Sequence, residues 1–406
     1  AVSREQRSDG VWAELVGQRR AVAVLRAAAE AAHAPGDARH AMTHAWLITG
    51  PPGSGRSNAA RAFAAALLCE RGGCGDCAIC RTVASGAHPD VTLVRTELLS
   101  IGVDEARELA NRAGMSPTIG SYQIIVIEDA DRITERGADA LLKSLEEPPP
   151  RTIWVLCAPT ADDLIVTIRS RTRHVNLRTP TDADVARLLA GRDGIEPALA
   201  AHAARAAQGH IGRARALARD EEVRNARHRV LKVPAGLTSV AACLRAAEAL
   251  VTSATADAER RTSELDAGEL ANLKEALGFG AKGARPRQAA AALKELEDQQ
   301  KMRAKRLQRD ALDAVLTELT TWYRDVLSVQ LRAVDAGDLV SATGGVGLIN
   351  AELRDQVASA AASSTPEQTV RRVYAILAAR EALERNVAPL LAMESLMLAL
   401  ADPDHS

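Results

Sequence analysis

Three short stretches of this chain combine residue types and spacings that can do chemistry. The first is GPPGSGRS, Gly50 to Ser57. In a loop of this kind, successive backbone N–H groups and the start of the following helix point at phosphate oxygens. Gly50, Gly53 and Gly55 remove the Cβ atoms that would obstruct that approach. Ser57 supplies a hydroxyl where Mg²⁺ would be held. Arg56 stands where the phosphate-loop pattern has Lys. An ammonium on a thin stem can reach over such a loop to the β- and γ-oxygens, whereas a guanidinium is planar, broader and seeks a bidentate partner. The expectation is a loop that binds ATP or ADP with Mg²⁺ weakly or not at all, and turns it over little.

The second stretch is QIIVIEDADR, an apolar run ending in Glu128 and Asp129. Carboxylates at a strand end can orient Mg²⁺ and an attacking water. Here Glu precedes Asp, the reverse of the usual order in ATPases with this loop, so the group that should reach the water is a methylene shorter. An acidic turn after an apolar strand is the plainer alternative. The third stretch is CERGGCGDCAIC, in which Cys69, Cys74, Cys77 and Cys80 follow a C-x4-C-x2-C-x2-C spacing with Gly72, Gly73 and Gly75 between them. Four thiolates so spaced suit a tetrahedral Zn²⁺ in a closed, structural site. An iron–sulfur cluster is the less favoured alternative, since nothing else suggests redox work. Cys157 and Cys243 stand alone in apolar surroundings and read as buried.

The elements that must carry these residues are legible by period. Residues 11 to 33 have apolar positions at helical spacing, broken at Pro35 to Asp37 before AWLITG, a short apolar strand ending at Gly50. NAARAFAAALL after the loop is a strong helix former, so strand, glycine-rich loop and helix arrive in the order the motif requires. Further strands are expected at Asp90 to Val94, Gln123 to Ile127 and Thr152 to Cys157. Helices are expected around Val103 to Ala113 and Thr134 to Glu147. Such alternation implies an α/β fold, a mainly parallel sheet covered on both faces, with ligands at the carboxyl ends of its strands. From about Pro180 onward only Ala-, Leu- and Arg-rich helical segments follow, interrupted by a loop at Gly278 to Arg287.

At 406 residues the chain is long enough for two or three domains. A net charge of -1 argues against a protein that coats nucleic acid by bulk electrostatics and leaves any DNA contact to a local basic strip. The five basic residues of KMRAKRLQR at 301 to 309, preceded by Glu295, Glu297 and Asp298, read as a solvated helix face, with a nucleic-acid strip as the less favoured alternative. No long uncharged apolar run and no signal-peptide layout is present, so a cytoplasmic protein without membrane contact is expected.

Six stretches in order resemble the AAA+ subunits of the bacterial clamp loader, which places the sliding clamp on DNA for DNA polymerase III. They are ELVGQ (Glu14 to Gln18), GPPGSGRS, the cysteine cluster after it, VIEDADR, LLKSLEEPPP and IRSRTRHV (Ile168 to Val175). The resemblance covers the first 220 residues; the helical remainder matches the family's collar by position only. Within the family, ATP-hydrolysing subunits keep the loop Lys, whereas the delta-prime branch commonly has a degenerate loop, so Arg56 favours that branch.

The resemblance implies three domains: an AAA+ P-loop domain over 1–180 with its zinc module at 69–80, a helical lid over 181–225, and a collar over 226–406. It implies that Arg171, in Ser170-Arg171-Thr172 where the family has Ser-Arg-Cys, supplies an arginine finger to the ATP of a neighbouring subunit. Without the resemblance, Arg169, Arg171 and Arg173 would read as the wet side of a strand. It places Val16, Gly17 and Gln18 near the adenine and makes Arg213 a candidate nucleotide sensor in the lid. Expected partners are tau/gamma-like and delta-like subunits in a hetero-oligomer, with the sliding clamp and primer-template DNA met through that complex. The alternatives are a motor subunit that hydrolyses ATP itself and an adaptor to other replication proteins.

Overall fold

AWLIT, QIIVI and TIWVLCA are nearly continuous apolar runs, as expected for parallel strands covered on both faces. The computed structural model describes residues 10–34, 42–95, 100–276, 286–333 and 347–404. In it the runs become β1 (Ala45–Thr49), β3 (Gln123–Ile127) and β4 (Thr152–Ala158). With β2 (Val91–Val94) and β5 (Arg173–Asn176) they form one parallel sheet of order β2-β3-β4-β1-β5. The three inner strands are buried throughout; of the edge strands, β2 has two half-buried positions and β5 three exposed ones.

Alternate side chains feed two cores. Trp46, Ile48, Ile124, Val126 and Val155 join one, which also holds α1 (Arg19–His33) and α2 (Arg56–Leu68). Leu47, Ile125, Ile127, Trp154 and Leu156 join the other, beneath α4 (Val103–Ala113), α5 (Glu135–Glu146) and α6 (Val166–Arg169). The short α3 (Ala78–Ser85) completes the first layer. α2 is alanine-rich and buried on nearly every side, as a helix apolar all round must be. Its Phe63 meets Trp46 edge to face, with ring centroids 5.0 Å apart, and the Arg173 guanidinium lies 5.0 Å from the Trp46 ring.

The expected strands, and the helices after the phosphate loop, agree with this structure to within a residue or two, whereas the helical stretch expected from residue 11 begins as a 3-10 turn (Gly10–Glu14) and becomes an α-helix only at Arg19. Of the three arginines read as one strand face, only Arg173 lies on a strand. Arg169 closes α6 and Arg171 sits in the turn before β5. The Pro35 to Asp37 break lies outside the described residues.

The chain divides into two compact units, residues 1–220 and 221–406. The first ends in α7 (Asp182–Gly191), α8 (Pro197–Ala207) and α9 (Ile211–Arg219). The second is helical throughout its described residues: α10 (Glu221–Gly236), α11 (Val240–Ala276), α12 (Pro286–Gln330), α13 (Arg354–Ala362), α14 (Pro366–Glu384) and α15 (Pro389–Ala401). Most of the loop expected at Gly278 to Arg287 lies outside the described residues, but Pro286 and Arg287 already belong to α12, where Pro suits the first turn.

α11 and α12 run antiparallel: Gln308 donates to Thr255 at 2.6 Å, and Arg303 pairs with Asp266 and Glu269, both at 2.8 Å. The basic segment at 301 to 309 is engaged within its own unit, since Lys301 pairs with Glu297 at 2.6 Å and Arg309 donates to Asn386, also at 2.6 Å.

A buried polar network fixes the register of the second unit. Arg227, 6% exposed, donates to Glu318 at 3.1 Å, to Glu352 at 2.6 Å and to Asn350. Asp325 accepts the backbone N–H groups of Ile349 at 3.0 Å and Asn350 at 2.7 Å. Replacing Arg227 with Ala removes its guanidinium from the buried Glu318 carboxylate and from Asn350 and Glu352, and the expected loss is about 3–5 kcal/mol of unfolding free energy. That loss should appear as a lower urea midpoint for the helical unit; an unchanged midpoint would show that the network does not hold it together.

Candidate nucleotide site and metal centre

The loop from Gly50 to Gly55 joins the carboxyl end of β1 to the first turn of α2, the place where a parallel sheet presents its ligand site. Gly53 and Gly55 take left-handed φ of 79° and 96°. Ser57 lies half-buried on the first turn of α2, and Glu128 and Asp129 follow β3 at the same edge. The structure therefore brings Gly50, Gly53, Gly55, Arg56, Ser57, Glu128 and Asp129 to one edge of the sheet.

Arg56 and Glu128 at this edge both have partners within the chain. Arg56 folds back on its own loop and donates from Nη1 to the Gly50 carbonyl at 2.5 Å. It also lies within electrostatic reach of Asp131 and Cys157. Glu128, 6% exposed, accepts from Arg61 of α2 through Nη2 at 2.8 Å and Nε at 3.2 Å, and Arg95 stands 4.0 Å from its other oxygen. Cys157 on β4 is fully buried, and burial pushes its thiol up to about 12, so it is an inert core residue.

The turn ahead of α1 is tied to the same edge. Gln18 donates to the Arg178 carbonyl at 2.6 Å and to the Ser54 carbonyl at 3.4 Å, and accepts the Arg178 N–H at 3.1 Å. The Leu15 methyl lies 3.8 Å from where a Cβ on Gly55 would be. Leu15 and Gln18, flanking Val16, are thus the residues of this turn that reach the loop. Arg213 lies half-buried on the first turn of α9, and its N–H donates to His210 Nδ1 at 3.2 Å. Burial and the neighbouring Arg213 cation hold the His210 imidazole below the usual histidine value, so it is neutral at pH 7.

Arg171 is elsewhere. Arg173 opens β5 opposite Trp46, while Asn176 lies opposite Thr49, the last residue before the loop. Arg171 therefore precedes the amino end of β5, whereas the phosphate loop is at the carboxyl edge. Four residues of strand separate the level of Trp46 from Gly50, about 13 Å at the usual rise per residue. The guanidinium donates to the Thr167 carbonyl at 2.8 Å and to Ser170 Oγ at 3.1 Å, and forms an ion pair with Glu146 at the end of α5.

The four cysteines come together at the far end of α2. Cys69 Sγ lies 3.8 Å from both Cys74 Sγ and Cys77 Sγ, Cys74 Sγ lies 4.0 Å from Cys80 Sγ, and all four sulfurs lie within 4.8 Å of one another. A disulfide needs about 2.05 Å. A tetrahedral ion with sulfur bonds of about 2.3 Å has sulfur–sulfur edges of about 3.8 Å, so this donor set fits a closed four-thiolate metal centre. Burial raises Cys69, but N–H groups of Cys74, Gly73 and Arg71 outweigh it and bring the thiol to about 6. The N–H of Cys80 likewise lowers Cys77, while burial raises Cys80.

The wrapping backbone needs glycine at position 73. Its φ is 93°, a Cβ there would fall 2.6 Å from Val11 Cγ2, and its carbonyl accepts the Val11 N–H at 2.9 Å. The cluster therefore staples the segment from Gly10 to α2.

Sequence reasoning alone missed Arg61, Glu146 and His210. Arg61 lies five residues beyond Arg56 on a helix, and its reach to Glu128 depends on the β1–β3 spacing. Glu146 was quoted only as part of a motif. His210 stands at a helix start, where His is not a standard cap.

A strand, a glycine-rich turn and a helix on a five-stranded parallel sheet, with acidic residues at the end of β3, the next strand but one, define a P-loop-like module of the α/β class. The family model described as DNA polymerase III, delta subunit, matches residues 34–181. The delta' subunit of DNA polymerase III from Pseudomonas aeruginosa is 38% identical over 142 residues, 34% of this chain and 43% of that protein. The gamma/tau subunit from Mycobacterium tuberculosis H37Rv is 35% identical over 172 residues, 41% of this chain and 28% of that protein. The chain thus spans less than half the length of these relatives. A gamma subunit-related protein of Thermotoga maritima superposes at 15% identity over 89% of this chain and 94% of that one, with a TM-score of 0.36. Over residues 34–181 this chain is thus similar to subunits of the bacterial clamp loader.

Loaded with Co²⁺, the chain should show the intense sulfur-to-metal absorption of a tetrahedral four-thiolate site, and Cys80→Ser should lose the ion on dialysis. A weak octahedral spectrum, or full retention after that substitution, would contradict the assignment.

Proposed function

We propose that this chain is a delta-prime-like, structural subunit of the clamp loader of DNA polymerase III, lending Arg171 to the ATP of a neighbouring subunit while its own loop stays silent. The observation that carries the reading is the separation of Arg171 from the phosphate loop by the length of the sheet. A guanidinium at the amino edge cannot serve its own chain's γ-phosphate, so any nucleotide it meets belongs to another protomer. There it would stabilise the charge that spreads over the γ-phosphoryl oxygens in the transition state. The contacts to Thr167, Ser170 and Glu146 hold it in a defined orientation and leave part of its five-donor fork for such a ligand.

The silent loop is supported by Arg56, which is spent on the Gly50 carbonyl, and by Glu128, which is neutralised by Arg61. Zinc in the four-cysteine site would be structural, since all four positions of the tetrahedron are filled by protein. The helices from residue 181 would act as the lid, with Arg213 at the nucleotide edge, and the second unit as a collar.

Support for a collar comes from α15, PLLAMESLMLALA, whose outer face leaves Leu390, Leu391 and Leu398 exposed beside Tyr374 and Leu377 of α14. A helix apolar on all sides is one that is covered in use. The occupants would be the equivalent domains of tau/gamma-like and delta-like subunits. The sliding clamp and primer-template DNA would be met through that complex, in the cytoplasm; no described helix is long and apolar enough to cross a membrane.

The competing reading, a motor subunit with its own turnover, draws on the similarity to gamma/tau. It requires Arg56 and Arg61 to release their present partners.

In a loader reconstituted with its partner subunits, Arg171→Ala should lower turnover at the neighbouring ATP site by about 10³-fold, with assembly on gel filtration unchanged. Full DNA-stimulated ATPase in that variant would refute the finger.

A further inference from the structure

The residue that delivers α9 to the nucleotide edge is His210. α8 ends in two left-handed residues, Gln208 at φ 49° and Gly209 at φ 81°. A Cβ on Gly209 would lie 2.3 Å from Thr179 Cγ2 and 2.7 Å from the Pro180 carbonyl, so this turn is pressed against the segment that follows β5. His210 then caps α9, its Nδ1 accepting the Arg213 N–H at 3.2 Å, which leaves the proton of the neutral ring on Nε2. The next residue, Ile211, points its N–H at the Gly53 carbonyl at 3.4 Å.

This arrangement sets the imidazole on the phosphate loop itself. A Cβ built on Gly53 would fall 2.1 Å from His210 Cγ, 2.5 Å from Cδ2 and 2.6 Å from Cβ. Gly in such a loop normally permits the close approach of a phosphate. Here the space vacated by the absent side chain is filled by a histidine ring.

We infer that His210 is a second determinant of nucleotide occupancy, a stopper carried by α9 that covers the loop at Gly53 and excludes the phosphates of a nucleoside triphosphate. The inference rests on the reading of the loop as silent and adds a cause to it. Arg56 removes the cation that would attract the β- and γ-phosphates, and His210 removes the room they would occupy. Restoring Lys at position 56 is then insufficient, because the ring still covers the loop. Restoring both should reopen the site. Ser is the replacement of choice at position 210, since its hydroxyl can still accept the Arg213 N–H and keep the start of α9.

The test is fluorescence anisotropy of a ribose-labelled ATP with Mg²⁺ on the full chain as parent, Arg56→Lys, His210→Ser and the double variant, with unfolding midpoints confirming that each is folded. The double variant should bind about tenfold or more tightly than Arg56→Lys, a gap of about 1.4 kcal/mol. A folded double variant that binds no more tightly than Arg56→Lys overturns the stopper while leaving the silent loop intact. Tight binding by the parent chain overturns both.

Discussion

A parallel sheet has two unlike edges, and everything in the first unit follows from that polarity. All five strands end at the edge that holds the phosphate loop, and all begin at the edge that holds Arg171. No side-chain rotamer spans the distance between them, because the strand length is set by backbone hydrogen bonds and by the two apolar cores that clamp β1, β3 and β4. On the proposed account, one chain carries a place for a nucleotide and an arginine suited to a nucleotide, and the two cannot meet within it. On the proposed account, the division of labour between subunits is written into the sheet.

On the proposed account, the nucleotide edge is closed by ordinary chemistry. A guanidinium needs partners, and Arg56 takes the Gly50 carbonyl of its own loop. A buried carboxylate needs a cation, and Arg61 supplies one to Glu128. Each pairing satisfies a group that would otherwise be stranded at a partly buried site. The four-cysteine centre plays a different part: it fixes the far end of α2 and, through Gly73 and Val11, the chain leading into the turn that holds Gln18 against Ser54.

Much of this was legible in the residues. β1, β3 and β4 are visible because inner strands of a parallel sheet are apolar on both faces, and the loop and cysteine cluster are visible because their chemistry demands fixed local spacing. β5 was less so: RHVN has one buried position in four, and its partner is a strand 127 residues away in sequence. Arg61 and His210 were not legible at all. Their roles depend on which elements the sheet and α9 bring beside the loop, and a one-dimensional spacing cannot express that. Arg171 was found only through the resemblance; the chain has seven lysines among its 51 basic residues, so another arginine carries no signal by itself.

The most direct measurement is the structure of the assembled loader, trapped with a non-hydrolysable ATP analogue and Mg²⁺. The account predicts an Arg171 guanidinium within hydrogen-bond distance of a γ-phosphate bound by the adjoining subunit, and Arg56 still on the Gly50 carbonyl with no triphosphate beside it. A nucleotide seated on the loop from Gly53 to Ser57, with Arg171 remote from every phosphate, would contradict it.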